Sequence, residues 1–216
     1  MSLQVMMGQL AGGMITTCKI FVLTLLFSLP LGLIISFGRM SKNIVIRSIA
    51  KIYISVMRGT PLMLQLLVVY FGPYYIFGIG ITHAYRAYAV IIAFAINYAA
   101  YFAEIYRGGI ESMPKGQYEA AKVLGYTKVQ TFFKIIFPQV IKRILPSVTN
   151  EVITLVKDTS LAFSIAYVEM FTTAKAIAAS QKSVVPLMAA GIFYYIFNFA
   201  VALLMELWEK KLSYYS

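Results

Sequence analysis

Residues 16–37 read TTCKIFVLTLLFSLPLGLIISF, twenty-two residues with one charge, Lys19, near one end. About 20 apolar residues carry a helix across the hydrocarbon core of a bilayer, so this block is long enough to span. Lys19 lies close enough to the boundary for its aliphatic stem to snorkel to the headgroups. No small-residue cleavage site interrupts the block, and the N-terminus is expected to be retained. The rest of the chain agrees with a membrane protein. Of 216 residues, 60% are hydrophobic and 12% charged, about half the charged share of a soluble domain.

Four further blocks follow. Residues 62–81 are apolar but interrupted by Gly72-Pro73, a kink that neighbouring helices can accommodate. Residues 87–102 hold no charge. Residues 145–165 contain Glu151, Lys157 and Asp158, each costing about 2.5–3.5 kcal/mol at the bilayer centre, so this block must face protein or water. Residues 184–208 end on Trp208, an indole suited to the headgroup level. The expected fold is an all-α membrane protein of five transmembrane helices forming a single domain over residues 1–216, with a long polar segment at 104–143 between spans three and four.

The formal charge of +11 is distributed between the apolar blocks and not gathered on one solvated face, which argues against nucleic acid and for topology. After spans one, three and five stand fourteen Lys and Arg; the opposite connections hold Arg86, Lys175 and Lys182. The positive-inside rule then puts the N-terminus outside, and both the 104–143 segment and the C-terminus in the cytoplasm. One cysteine, Cys18, and one histidine, His83, offer no metal-ligand spacing. Five spans do not divide into two inverted halves, which disfavours a secondary transporter.

Within the polar segment, residues 104–125 read EIYRGGIESMPKGQYEAAKVLG. Ser112 is placed to cap a helix whose first turn admits Pro114, and Gly125 to end it in a left-handed conformation. Ala120 and Ala121 give that helix a low-profile patch, with Glu119 and Lys122 as polar rim. Two readings stand side by side: a protein-docking helix, or an amphipathic helix lying on the membrane.

The spelling Glu119-Ala120-Ala121, then Gly125, Ile135 and Pro138, resembles the cytoplasmic loop signature of the permeases of bacterial ATP-binding-cassette importers, in the branch for polar amino acids of the histidine, glutamine and arginine type. Phe137 departs from the usual leucine but stays apolar. Arg58-Gly59-Thr60-Pro61-Leu62 and Lys157-Asp158-Thr159-Ser160-Leu161 resemble further marks of that branch, so the likeness covers nearly the whole chain. It implies the type I importer transmembrane fold and a coupling helix whose Glu119, Ala120, Ala121 and Gly125 dock on a separate ATPase subunit. It further implies a second permease chain, identical or paralogous, and an extracytoplasmic amino-acid-binding protein. The chain has no Gly-rich loop ending in Gly-Lys-Ser or Gly-Lys-Thr. ATP and Mg²⁺ therefore belong to the partner, and this chain needs no cofactor of its own.

Glu151 and Asp158 stand seven apart, so on a helix they share a face about 10 Å apart, bracketing the midplane. A long basic amino acid could engage both carboxylates; glutamine has one cation to offer. Thr154 lies on the same face, and Asn97 in span three either bridges helices or meets a substrate carboxylate. Asp158 has a structural alternative, capping a helix broken at Asp158-Thr159-Ser160, and Lys157 could pair with a neighbouring acid. The spelling around Glu151 resembles permeases for arginine, histidine and lysine; a neutral polar cargo such as glutamine is the alternative. An intramembrane enzyme would have only Glu151, Asp158 and Ser160 to work with, and a passive channel would need no docking helix.

Overall fold

The computed structural model describes residues 2–212, and all its regular structure is helical. Met1 and the last four residues of the expected domain lie outside the described residues. In chain order the helices are α1 (Leu3–Arg39), α2 (Ile44–Gly59), α3 (Leu62–Phe77), α4 (Tyr85–Glu111), α5 (Lys115–Val123) and the short α6 (Lys128–Gln130). A π-helical segment (Thr131–Ile136) leads into α7 (Phe137–Asp158), which tightens to a 3₁₀ segment (Thr159–Ile165) before α8 (Met170–Gln181) and α9 (Val185–Leu212).

α1, α4 and α9 are long and apolar enough to cross a membrane unaided. Two bent pairs bring the number to five if each is one span: α2 with α3 at 109°, and the run through α7 with α8 at 58°. α4 is the centre of the packing. Ala89, Val90, Ala93, Phe94, Tyr98 and Phe102 are buried on it, and α1 lies along it so closely that a Cβ on Gly32 would come within 2.8 Å of the Phe102 side chain and 3.0 Å of the Ala99 carbonyl. Small residues let transmembrane backbones approach in this way. The faces turned away, such as Ile192, Ile196, Phe199 and Leu204 of α9, are exposed and apolar, as lipid contact requires.

The first bend is not at Gly72-Pro73, where α3 continues through Pro73, but at Thr60-Pro61. A residue preceding proline is pushed out of the helical region, and Thr60 has φ −124°, ψ 147°. The carbonyls freed by the break are not left bare. Gln65 Nε2 donates to Met57 O (2.9 Å) and Thr60 O (3.1 Å), while Asn97 Nδ2 donates to Met57 O (3.0 Å) and Gln65 Oε1 (2.9 Å). Residues 44–59, read from sequence as a basic connection, are the helix α2. It presents three faces: Ile54, Tyr53 and Met57 against α1 and α4, exposed Val45, Ile49, Ile52 and Val56 on a second, and Arg47, Lys51 and Arg58 on a third. Three cations spread along the helix break the apolar run that a span reading relies on.

At the second bend Ala166 is left-handed (φ 53°) and Glu169 caps α8. Glu169 is 0% exposed. Its carboxylate accepts from the Phe171 and Thr172 amides (2.7 and 2.8 Å), the Thr172 hydroxyl (2.9 Å), the Tyr194 hydroxyl (3.0 Å) and the Thr17 hydroxyl (3.4 Å). One buried anion thus ties α1, α8 and α9 together, with the positive end of the α8 dipole as its electrostatic complement.

Candidate functional site

Halfway along the molecule, α7 brings Glu151, Thr154 and Asp158 to one half-buried face, as their spacing predicts. Asp158 does not cap the 3₁₀ segment that follows it; no side-chain bond is made there. Its Oδ2 instead accepts from the Tyr98 hydroxyl of α4 at 2.7 Å. Tyr98 packs against Tyr101 with ring centroids 6.1 Å apart, and the guanidinium of Arg58 lies 5.2 Å from the centre of the Tyr101 ring. Arg58, Tyr101, Tyr98 and Asp158 therefore form a continuous polar and aromatic line from the α2–α3 break to the end of α7.

Glu151 has no hydrogen bond and no ion pair among the described residues; it stands in the longer-range fields of Arg58 and Asp158. Lys157 is exposed and forms no ion pair among the described residues, its charge acting on Asp158 through the longer-range field. Thr154 donates its hydroxyl hydrogen to Asn150 O at 2.9 Å within its own helix, which leaves its oxygen free to accept. Asn97 is different. It is 4% exposed, and both hydrogens of its amide serve Met57 O and Gln65 Oε1. Of the two roles open to it, the helix bridge is the one its geometry takes, and it supports the α2–α3 break beneath the carboxylate face.

Arg58 was legible only as part of a family spelling, and nothing in the pattern around Tyr98 and Tyr101 marks them beyond packing. Thr60-Pro61 is a local mark of the bend that places Arg58, but which side chains meet across it is set by tertiary packing.

At the end of α4 the expected cap shifts by one element. Ser112 closes α4, donating its hydroxyl hydrogen to Gly109 O (2.7 Å), and α5 begins at Pro114 without a side-chain cap. Gly125 ends α5 as expected, at φ 79°. Its amide donates to Lys122 O, and that of Tyr126 to Ala121 O (3.1 and 3.0 Å), the bond pair of a Schellman motif. The two alanines face opposite ways. Ala121 is 1% exposed and sits toward the π-helical segment, whereas Glu119 and Ala120 point outward. Val123 and Leu124, at 87% and 72% exposure, extend the outward face.

The π-helical turn has a local cause. In a continuous α-helix the Pro138 ring would collide with the carbonyl of Lys134, and the widened turn ends at Ile136, just ahead of it.

Residues 28–214 match the family model described as binding-protein-dependent transport system inner membrane component. Among curated proteins, the putative glutamine transport system permease protein GlnP of Rickettsia bellii is 35% identical over 93% of this chain and 91% of its own length. The arginine transport system permease protein ArtQ of Bacillus subtilis is 36% identical over the same shares. Among solved structures, the crystal structure of an amino acid ABC transporter with histidines aligns with a TM-score of 0.86 at 32% identity, over 98% of this chain and 99% of that one.

Proposed function

The chain belongs to the family of inner membrane components of binding-protein-dependent transport systems, and we propose that it is the permease subunit of an ATP-driven importer whose cargo is a basic amino acid. Relatives are permeases named for glutamine, cystine and arginine; the family supports the amino-acid class, and the paired carboxylates are what favour a basic side chain within it. One observation carries that choice: two carboxylates share one face of α7, and among the described residues Glu151 has no hydrogen bond or ion pair of its own.

A zwitterionic amino acid has three charges to satisfy if its side chain is basic. Arg58 supplies the cation for the α-carboxylate, while Glu151 and Asp158 accept from the α-amino group and the side-chain cation; Thr154 adds an acceptor between them. The separation of about 10 Å along the helix suits a long side chain. Tyr98 holds Asp158 in place through its hydroxyl. A glutamine would leave one buried carboxylate uncompensated, which disfavours it energetically.

Transport needs an energy source that this chain does not contain. The reading assigns it to a separate ATPase subunit, which binds ATP and Mg²⁺ and docks on the outward face of α5, where Glu119, Ala120, Val123 and Leu124 are presented and Gly125 sets the end. A second permease chain completes the path, and an extracytoplasmic binding protein delivers cargo. The N-terminus lies outside the cell and the C-terminus inside, by the distribution of Lys and Arg.

The test is uptake of arginine, lysine, histidine and glutamine by the reconstituted complex carrying Glu151→Gln or Asp158→Asn. Arginine and lysine uptake should fall at least tenfold more than glutamine uptake, the loss of one charge-assisted contact of about 1.5–3 kcal/mol. Equal losses for all cargoes would assign the carboxylates to structure and leave selectivity to the binding protein.

A further inference from the structure

Away from the carboxylate face, where the ends of α4, α7 and α9 meet, a cavity of about 790 Å³ has among its lining residues Lys134, Lys142 and Arg143 together with the apolar Met113, Ile141 and Leu212. A smaller neighbour of about 310 Å³ shares Lys142 and Leu212. Lys134 and Lys142 have neither a hydrogen bond nor an ion pair among the described residues. Arg143 donates to Ser112 O (2.6 Å) and Ser112 Oγ (3.0 Å), neutral acceptors that fix the guanidinium without cancelling its charge. Glu209, the acid of the smaller pocket, accepts from the Thr149 hydroxyl. Three cations thus line one hollow, and among the described residues no carboxylate is paired to any of them.

The depth of the hollow follows from its neighbours. Trp208 is 62% exposed and stands four residues before Leu212 on α9, about 6 Å along the helix; an exposed indole settles at the headgroup level. Arg39, Glu104 and Arg107 form an ion cluster at the same end of α1 and α4, where charges leave the hydrocarbon. The cavity mouth is therefore at the membrane–water boundary, between helices that enter the bilayer.

We propose that this cavity binds the headgroup of an anionic phospholipid of the cytoplasmic leaflet. The phosphate sits among Lys134, Lys142 and Arg143, and the start of an acyl chain covers Met113, Ile141 and Leu212. Basic pockets between transmembrane helices on the cytoplasmic side take acidic headgroups for this reason. An acidic protein surface would match the charge but would bring no chain to cover the apolar wall. The leaflet rests on the orientation proposed above; the chemistry of the site does not.

The experiment is native mass spectrometry of the intact, delipidated permease–ATPase complex titrated with phosphatidylglycerol, with phosphatidylcholine of the same chains, and with inorganic phosphate. Phosphatidylglycerol should be retained over phosphatidylcholine. The Lys134→Gln/Lys142→Gln variant should lose that preference about tenfold or more, as expected for two surface cations facing an acidic lipid. Retention by the double variant equal to the parent would overturn the proposal. So would displacement by inorganic phosphate alone, which marks a free-anion site, or lipid bound by the isolated chain and excluded from the complex, which gives the cavity to the ATPase subunit. Orientation is read separately, by labelling Lys134→Cys in a Cys18→Ser background with a membrane-impermeant maleimide in intact cells. Labelling there would reverse the leaflet and leave the lipid titration standing.

Discussion

Gly125 and Glu151 show how much one position can decide. At φ 79° Gly125 occupies a region that side chains with a Cβ enter at a cost of about 1–2 kcal/mol, more for a branched one. No neighbour lies within 4 Å of where its Cβ would be, so Gly125→Val disturbs the end of α5 without a clash elsewhere. The variant is expected to insert and express normally but to lose ATP-coupled uptake, measured as accumulation in vesicles; undiminished uptake would remove α5 from coupling. This residue was legible from its place after a helical run. Glu151 and Asp158 were legible from spacing alone, because seven residues return to the same helix face. Arg58, Tyr98 and Tyr101 were not, since what unites them is tertiary: a cation over one ring, that ring beside a second, and a hydroxyl on a carboxylate.

Among the helices, the sequence was most informative where apolar length is the signal. α1, α4 and α9 appear where the most apolar blocks stand, although each runs beyond the block that announced it. It was least informative at the bends. α2 escaped notice because its lipid-facing and packing stripes are separated by Arg47, Lys51 and Arg58, and a hydropathy window averages the three faces together. Glu169 lay in an unremarkable connection, yet its carboxylate joins three helices. Glu169→Ala leaves buried amide and hydroxyl donors unpaired, each costing about 1–3 kcal/mol, and is expected to lower the melting temperature of the detergent-solubilised protein by several degrees, with Glu169→Gln intermediate. Equal melting of all three forms would show that the node bears no load. At the α1–α4 contact, Gly32→Leu places a side chain where the neighbouring backbone already stands, and overpacking of about 1–3 kcal/mol should appear in the same melt.

Taken whole, the molecule puts its two chemistries in different places. A line of charge and aromatic rings crosses the middle of α4 from the end of α2 to the end of α7, and an exposed apolar knob, Val123 and Leu124 beside Glu119 and Ala120, stands beyond the end of α4. Between them run α4 and α7, packed together through Ile144 and Val140 against Gly109; on the proposed function this contact is where a push on α5 would pass toward the carboxylate face. The central claim is that these two places work as one device, driven from outside the chain. The measurement closest to it is ATP hydrolysis by the reconstituted complex, with the binding protein loaded in turn with arginine, lysine, histidine, glutamine or glutamate. Hydrolysis should rise with the basic amino acids and lose that response, but not its basal rate, in Glu151→Gln. A rate indifferent to every amino acid, or one stimulated equally by glutamate and arginine, would contradict the account.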